Sequence, residues 1–311
     1  MRIDRSIQSA AITGPTGAIG MALCKRLAAQ GIAVYAMVNP ASVRTEHLKA
    51  MPGVRVVSCG LESMSHFPDT VKGFCVDAFF HLAWTHTTGA GRNDMLAQID
   101  NIRYTVDAVH AARRLGCSVF VGAGSQAEYG RRDEALAPHT PCFPENGYGM
   151  AKLCAGQMSR VECRKLGIAH IWPRILSVYG PWDGENAMIP AVIRGLLKGE
   201  KPSLTAGEQL WDYLYADDAA EALYRLALCG VDGEIYPVGG GISRPLREYV
   251  EILRDAIDPA LPLGFGEVPY GAGQVIRLEA DISALVNDTG WRPKVGFPTG
   301  IRRTIDWMRR Q

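Results

Sequence analysis

Residues 9–20 read SAAITGPTGAIG, an apolar stretch that runs into three glycines. The first half is typical of a short buried strand. The stretch GAIGMALCKRLAAQG, over 17–31, has the apolar periodicity of a helix that stops at Gly31. A strand that turns through glycines into a helix is the context that a dinucleotide-binding loop requires, although an ordinary glycine-rich turn remains an alternative.

The three glycines have separate expected tasks in such a loop. Gly14 would permit the tight turn, Gly17 would let the backbone approach a pyrophosphate, and Gly20 would let the helix pack closely on the strand. The N–H groups at the start of the helix would then face the phosphates. The sequence therefore predicts a dinucleotide site at the first strand–helix turn.

The chain beyond this turn alternates between strand and helix patterns. The predicted strands are IAVYAMVN (32–39), VDAFFHLAW (76–84), CSVFVGAGS (117–125) and IAHIWPRILSVYG (168–180), and the long predicted helices cover 94–116 and 148–167. This alternation predicts an α/β fold, a doubly wound parallel sheet with helices on both faces. From about residue 180 glycine and proline become frequent, which indicates a smaller second region of loops and short helices.

Composition narrows the classes of partner. The 311 residues are 47% hydrophobic and carry a formal net charge of +1, so neither nucleic acid nor a membrane surface is expected as a partner. Eight scattered cysteines show neither a zinc spacing nor a disulfide framework, which predicts no metal site and a reducing, cytoplasmic location. The charged first residues do not resemble a secretory signal, and no apolar run is long enough to span a bilayer.

A tyrosine and a lysine stand four positions apart in NGYGMAKLCAG, residues 146–156. Tyr148 and Lys152 would share one helix face, where an ammonium lowers the pKa of a phenol and makes it a usable acid–base group. Ser125 ends a predicted strand, where a hydroxyl could hold a substrate oxygen. The alternative is a plain surface pair on a helix.

Together these residues resemble the extended short-chain dehydrogenase/reductases of the NAD-dependent sugar epimerase/dehydratase family. The resemblance runs almost from end to end and in the family's order. Its motifs are TGPTGAIG at 13–20, His81-Leu82-Ala83 after Asp77, Ser125 to Tyr129-Gly130, Tyr148 to Lys152, RILSVYGP at 174–181, DYLYADDAAEAL at 212–223, ADIS at 280–283 and GWRP at 290–293.

The resemblance implies a Rossmann domain over residues 1–175 plus about 212–236, and a substrate-binding α/β region over about 176–211 plus 237–311. It implies that Tyr148 is the acid–base group, that Lys152 binds the nicotinamide ribose, and that Ser125 assists. Asn101 either lies near the cofactor or is a structural helix residue. The implied cofactor-binding set is Gly14, Thr16, Gly17, Ala18, Ile19, Gly20, Asn39, Arg44, Leu61, Leu82, Ala83, Trp84, Asn101, Ala123, Tyr148, Lys152, Pro173 and Ile175.

Departures from the family pattern affect the cofactor. NAD-selective members carry an acidic residue after the second strand, where this chain has Asn39, with Ser42 and Arg44 just beyond. Arg44 could bind a 2′-phosphate, which favours NADP over NAD slightly, or it could be an ordinary solvated helix residue. Gly60 stands where the family has an adenine-contacting aspartate.

Other departures affect the substrate. The implied substrate contacts are Ser125, Gln126, Ser177 and Trp211, and Trp211 stands in the place of an arginine for a nucleotide diphosphate. A second such arginine is replaced by Gly271, although Arg194, Lys198 or Arg277 could compensate. Sugar dehydratases carry Asp-Glu after the serine or threonine; here the residues are Gln126 and Ala127, which disfavours water elimination.

Three functions therefore stay open. The favoured one is an NAD(P)-dependent 4-ketoreductase of a nucleotide sugar, and the second is a nucleotide-sugar 4-epimerase with tightly bound NAD. The third is a dinucleotide-binding sensor or scaffold without chemistry, against which the intact set Ser125, Tyr148 and Lys152 argues. The family often forms homodimers through its two long helices, and the apolar Met95, Ile99, Leu153 and Met158 permit this here or else face the sheet.

Overall fold

The computed structural model describes residues 5–71, 75–271 and 273–311, so the charged residues 1–4 that begin the predicted first domain lie outside it. The strands are β1 (Ser9–Thr13), β2 (Ala33–Val38), β3 (Val54–Ser58), β4 (Ala78–His81), β5 (Val119–Gly122), β6 (Gly124–Ser125), β7 (Ala169–Ile175), β8 (Ser177–Tyr179), β9 (Ser203–Leu204), β10 (Leu210–Trp211), β11 (Tyr213–Tyr215), β12 (Ile235–Val238), β13 (Arg244–Pro245) and β14 (Gly264–Phe265). The α-helices are α1 (Ala18–Ala28), α2 (Thr45–Lys49), α3 (Phe67–Thr70), α4 (Met95–Leu115), α5 (Gly147–Leu166), α6 (Met188–Leu197), α7 (Ala216–Cys229), α8 (Leu246–Ile257), α9 (Ser283–Thr289) and α10 (Phe297–Met308).

The central sheet has the order β3-β2-β1-β4-β5-β7-β12, with β6 paired to the end of β7. Every pairing in it is parallel, and β1 lies at its centre, with Ala10 opposite Val34 of β2 and Ala78 of β4. The strand order reverses between β1 and β4, the point at which doubly wound sheets bind their ligands. The predicted parallel α/β fold is confirmed.

Apolar side chains bury both faces of this sheet. On one face α1 and α7 pack over the strands through Leu23, Leu27 and Leu223. On the other face α4 and α5 contribute Val109 and Cys163 to a core that includes the stacked rings of Phe79 and Phe120. Strands buried on both sides explain the near-continuous apolar runs from which the fold was predicted.

The two long helices are capped at both ends. The side chain of Asp94 accepts a hydrogen bond from Ala97 N (3.2 Å) at the start of α4, and Asn146 does the same for Gly149 N (2.9 Å) at the start of α5. Each helix ends at a glycine in the left-handed region, φ 85° at Gly116 and φ 70° at Gly167. The caps therefore set where α5 begins, one residue before Tyr148.

The second half of the chain leaves the sheet and returns to it. The predicted strand 168–180 is divided into β7, in the sheet, and β8, which pairs with β11 instead. Most of the remaining C-terminal elements surround a separate apolar cluster that includes Ile193, Leu253 and Ile305. The division of the chain into two regions at the stated boundaries stays a prediction.

Among the described residues, no helix is both long enough and apolar enough to cross a membrane.

Candidate functional site

The glycine loop joins the carboxyl end of β1 to α1 at the centre of the sheet. Gly14 has φ +67°, and a Cβ there would lie 2.9 Å from the backbone nitrogen of Ala83. A Cβ on Gly20 would lie 2.7 Å from Pro15 Cα, whereas one on Gly17 would meet only Gly14 O, at 3.9 Å. Two glycines thus allow close backbone packing. Gly17 leaves open space at the helix start, where no side chain of the described residues caps the N–H groups. This cradle fits a dinucleotide pyrophosphate.

Two cavities open along the carboxyl ends of the central strands. The larger, of about 480 Å³, is lined by these residues of the predicted cofactor set: Gly14, Thr16, Gly17, Asn39, Leu61, Leu82, Ala83 and Trp84. The second, of about 360 Å³, is lined by Gly14, Gly17, Ala18, Ile19, Gly20, Arg44, Leu82, Ala123 and Ile175. Asn101, Tyr148, Lys152 and Pro173 line neither of these two cavities. Most of the predicted set therefore lines two adjoining cavities, which share Gly14, Gly17 and Leu82.

A buried polar cluster fixes the wall of this cleft where β4 ends. The hydroxyl of Thr13 accepts hydrogen bonds from Leu82 N and Ala83 N (both 3.1 Å) and lies 3.0 Å from His81 Nδ1. Burial, aided by the charge of Lys152, lowers the pKa of His81 to about 3, so its ring is neutral. The family motif marked His81, but only the structure shows that it acts on backbone geometry through Thr13.

The side chain of Asn101 is hydrogen-bonded to the loop after β4. Its side-chain oxygen accepts a hydrogen bond from Thr85 N (3.0 Å), and its amide nitrogen donates to Thr85 O (3.1 Å) and to Ala97 O (3.0 Å). Thr85 lines the larger cavity. Asn101 thus ties the loop after β4 to α4, which favours the structural reading of this residue.

Arg44 lies between two loops rather than in solvent. Its Nη1 donates to Trp182 O (2.9 Å) and, more weakly, to Thr16 O (3.4 Å). Trp182 has a left-handed backbone, φ 68°, which is uncommon for a bulky residue. The anchoring of its guanidinium beside the glycine loop favours a binding role for Arg44 over the interpretation as a solvated helix residue.

Ser125, Tyr148 and Lys152 come together beyond the second cavity. Ser125 caps a short 3₁₀ turn, Gln126–Glu128, where its hydroxyl accepts a hydrogen bond from Ala127 N (3.2 Å). Tyr148 and Lys152 share the first turns of α5, and Lys152 Nζ donates to Ala123 O (2.6 Å) while lying 3.7 Å above the centre of the Trp84 ring. The structure thus assembles the three predicted residues at the ends of β5 and β6.

Burial shifts the pKa values of both Tyr148 and Lys152. Burial raises the pKa of Tyr148 above its ordinary value, and hydrogen bonding to Ser125 and the charge of Arg92 offset only part of that rise. Burial also lowers the pKa of Lys152 to about 7, against the opposing charge of Glu128. The expected lowering of the Tyr148 pKa by Lys152 stays a prediction; in this arrangement the lysine is itself desolvated and lies against Ala123 O and the Trp84 ring.

Sequence reasoning missed a buried ion pair directly behind Ser125. The Glu128 carboxylate accepts hydrogen bonds from Ser125 N (2.8 Å), Trp172 Nε1 (3.0 Å) and Arg174 Nε (2.6 Å). The side chains of Glu128 and Arg174 are 0% and 2% exposed. Burial alone would lower the pKa of Arg174, but the Glu128 carboxylate outweighs it and raises that pKa. This pair holds the turn that presents Ser125.

A second missed feature is the loop that carries Arg92. The Arg92 guanidinium carbon lies 4.8 Å from the centre of the Tyr148 ring. Buried Gln98 ties this loop down: its Nε2 donates to His86 O (3.0 Å) and Gly91 O (3.1 Å), and its Oε1 accepts from Trp84 Nε1 (2.9 Å). The sequence pattern that could have indicated this contact is the series of polar residues at 98, 101 and 105, which share one face of α4 and are buried there.

The predicted substrate residues are only partly brought together. Gln126 follows Ser125 in the 3₁₀ turn, and Trp211 Nε1 donates to Ser177 Oγ (2.8 Å). Arg277, offered as a compensating cation, is engaged with Glu279 (2.9 Å) and Asp133 O (3.0 Å). Gly271 and Lys198 are exposed, and Arg194 lines a third cavity, which shares Arg44, Trp182 and Asp183 with the second. Within residues 5–71, 75–271 and 273–311, no group of three or more His, Cys, Asp or Glu side chains is arranged to hold a metal.

Known proteins resemble this chain over most of its length. The model of the NAD dependent epimerase/dehydratase family matches residues 10–239. A dTDP-glucose 4,6-dehydratase of Neisseria meningitidis serogroup B is 28% identical over 191 residues, 58% of this chain and 54% of that protein. One from Escherichia coli is 31% identical over 179 residues, 54% and 49% of the respective chains. The chain spans about half the length of these curated relatives.

Solved structures match more completely. The UDP-glucose 4-epimerase of Thermus thermophilus, in complex with NAD, has a TM-score of 0.85 and 26% identity, covering 97% of this chain and 99% of that one. A UDP-N-acetylglucosamine 4-epimerase from Methanobrevibacter ruminantium has a TM-score of 0.89 at 23% identity, covering 99% and 100%, and shows the shared fold. With its glycine cradle, its parallel sheet and a family match that covers more than half of its residues, this chain belongs to the NAD-dependent epimerase/dehydratase family.

Proposed function

We propose that this protein is an NAD(P)-dependent oxidoreductase that reduces the C4 keto group of a nucleotide sugar. The observation that carries the proposal is the assembly of Ser125, Tyr148 and Lys152 at the carboxyl ends of β5 and β6, beyond a cleft that fits a dinucleotide. A sensor or scaffold without chemistry would not need this set. The relatives named above act on nucleotide sugars according to their names, which supports this class of substrate.

The residues would share the reaction as follows. A bound nicotinamide cofactor supplies the hydride. Ser125 hydrogen-bonds the C4 oxygen, and Tyr148 donates its hydroxyl proton to that oxygen as negative charge develops. Lys152 holds the ribose that carries the nicotinamide ring.

Tyr148→Phe tests the proposal because it removes only the hydroxyl. We expect turnover to fall by at least about 100-fold, the usual contribution of a general acid. Cofactor binding should change little, since the glycine loop is untouched. The measurement is NAD(P)H oxidation with nucleotide 4-keto sugars, alongside cofactor titration. Full activity in Tyr148→Phe would overturn the proposal, and binding of NAD(P)H without any turnover by the unaltered protein would favour the sensor.

A 4-epimerase with tightly bound NAD is the second candidate, favoured by the near-complete match to 4-epimerase structures. The two candidates differ in what the purified protein retains. Stoichiometric NAD released on denaturation would support the epimerase. A protein that is purified empty and binds NADPH more tightly than NADH would support the reductase.

We propose no dehydratase activity, although several curated relatives carry that name. Gln126 and Ala127, in the turn after Ser125, offer no carboxyl group to act as an acid or a base in water elimination. For the cofactor, Asn39 brings no carboxylate to the cleft that would repel a 2′-phosphate, and the anchored Arg44 lies beside the glycine loop. These two features favour NADP, while the solved relative from Thermus contains NAD.

We also propose a homodimer formed through α4 and α5. Several large apolar side chains on these two helices are exposed, among them Met95, Leu96, Ile99, Met158 and Val161, with exposed fractions of 48–77%. Leu153 is half-buried. Contiguous exposed apolar side chains of this kind mark interaction surfaces.

A further inference from the structure

We propose that Trp84 is a positioning residue for Lys152: the face of its indole ring keeps the buried lysine ammonium charged and in place beside Tyr148. This inference rests on the role of Lys152 under the proposed function. Lys152 must carry its charge to favour the phenolate of Tyr148, so a group that keeps the lysine protonated acts on the reaction through it.

The ammonium of Lys152 has few partners for a buried charge. The residue is 3% exposed. An ammonium has three N–H donors, but among the described residues its Nζ atom has one hydrogen-bond acceptor, Ala123 O (2.6 Å). The nearby Glu128 carboxylate is paired with Arg174 instead. Because burial without compensation disfavours the charged form of a lysine, a further stabilising contact is needed.

The indole face of Trp84 provides this contact. Lys152 Nζ lies 3.7 Å from the centre of the ring, well inside the range of about 6 Å for a cation–π contact. Tryptophan has the most attractive face of the aromatic residues, and the attraction grows when the cation is desolvated, as it is here. The ring of Tyr148 lies farther from the same ammonium, at 5.8 Å. Trp84 is therefore the closer of these two aromatic partners.

Contacts with three elements hold the Trp84 ring in this orientation. Its Nε1 donates to Oε1 of Gln98 (2.9 Å), which is buried in α4. Tyr148 of α5 packs against it nearly at a right angle, with ring centres 6.1 Å apart. The backbone just before it is fixed by Thr13 of β1, whose hydroxyl accepts a hydrogen bond from Ala83 N (3.1 Å). The indole is thus a fixed surface rather than a mobile side chain.

The titratable groups around Lys152 come from several elements. His81 faces it from β4, Glu128 from the turn after β6, and Tyr148 from α5 itself. His81 is neutral, and Glu128 shares its charge with Arg174. The polar side chains that α4 buries are uncharged. The indole face is therefore the principal contact that can offset the burial of the ammonium.

The test is the titration of Lys152 in the purified protein, without substrate or turnover. Lysine labelled with carbon-13 at Cε reports the protonation of each ammonium by NMR, and Lys152→Met identifies the signal. We expect Trp84→Leu to lower the Lys152 midpoint by at least about one pH unit, since it removes the ring face and keeps an apolar side chain. Trp84→Phe keeps a weaker ring face and should lower the midpoint less. Lys49, whose side chain is 56% exposed, should titrate unchanged in every protein.

Fluorinated tryptophan separates the charge effect of the ring from its packing. Fluorine withdraws electron density from the ring face and changes the shape of the ring little. Protein grown with tryptophan that carries one and then two ring fluorines should show Lys152 midpoints that fall stepwise. The same series in Trp84→Phe is the matched control, because the remaining tryptophans are fluorinated there too, and its midpoints should stay constant. Equal Lys152 midpoints with ordinary and fluorinated tryptophan would overturn the inference.

The pH profile of turnover tests the link to the reaction. A lysine that is needed in its charged form loses activity as the pH rises through its pKa, which burial lowers to about 7. Trp84→Leu should therefore lose activity at a lower pH than the unaltered protein. An unmoved profile beside shifted Lys152 midpoints would also overturn the inference, because Trp84 would then not act on the reaction. Shifted midpoints together with a fully active Tyr148→Phe would overturn the proposed function and leave the contact between Trp84 and Lys152 intact.

Discussion

At the scale of single residues, Glu128 and Arg174 show how a buried charge can set the geometry of a site. Isolated burial of either charge would cost several kcal/mol, and their mutual pairing with further hydrogen bonds from Ser125 and Trp172 offsets that cost. Glu128 and Arg174 lie 46 positions apart in the chain, and no local sequence pattern predicts a contact over such a separation. Tyr148 and Lys152 could be predicted because one helix turn separates them.

Replacing Glu128 by glutamine should destabilise the protein strongly. The neutral side chain keeps the volume but leaves Arg174 as a buried unpaired charge, for which we expect a loss of about 3–5 kcal/mol in the free energy of unfolding. Glu46→Gln is the control: its pair with Lys49 (2.7 Å) is solvent-exposed and should contribute less than about 1 kcal/mol. Denaturant unfolding of both variants measures the difference. Equal losses in the free energy of unfolding would show that the buried pair stabilises the fold no more than the exposed pair does.

At the scale of elements, the contact between β7 and its neighbours depends on small residues around one indole. Cβ atoms placed on Gly122, Gly124 or Gly156 would all collide with the Trp172 ring. Gly156 lies within α5, where glycine is otherwise unfavourable, so its presence reflects the close approach of that helix to β7. The sequence predicted this helix from its periodicity, over 148–167 against the observed Gly147–Leu166. The two-residue strands of the C-terminal region had no such signal, because they exist only through tertiary pairing.

The same substitution should therefore have opposite effects in two helices. Gly156→Ala would bring a Cβ to 2.6 Å from Trp172 Cε2, and we expect a loss of about 1–3 kcal/mol. In Gly195→Ala, in α6, the nearest atom of the described residues to the new Cβ is Glu200 Oε2 at 3.9 Å, so this change should stabilise the protein by about 0.5–1 kcal/mol. The denaturant concentrations at the unfolding midpoints show whether each substitution stabilises or destabilises the protein. Stabilisation by Gly156→Ala would contradict the close packing described for Trp172.

At the scale of the whole molecule, α4 and α5 present exposed apolar side chains that have no covering element in the described chain. The sequence predicted the parallel sheet and its cover on both faces, because apolar runs alternate with amphipathic helices. It could not predict that Met95, Ile99 and Met158 face outward, since both orientations suit apolar residues. The order of strands and the position of Arg92 likewise follow from contacts between distant segments.

A charge placed on this face should separate the subunits. We expect the unaltered protein to sediment as a dimer and Ile99→Asp to sediment as a folded monomer, because a carboxylate would have to be buried in an apolar interface. Ile242→Asp, at a comparably exposed isoleucine outside these helices, should remain dimeric. A monomeric unaltered protein, or a dimeric Ile99→Asp, would rule out this interface.

The return of the chain to the sheet has a consequence for its synthesis. β12, at Ile235–Val238, pairs with β7, whose last residue is Ile175. A chain emerging from the ribosome therefore completes β7 about sixty residues before the strand that covers its outer edge. In that interval β7 offers unpaired backbone groups to any neighbouring strand. Until β12 has been translated, the growing chain is therefore open to aggregation through the uncovered edge of β7.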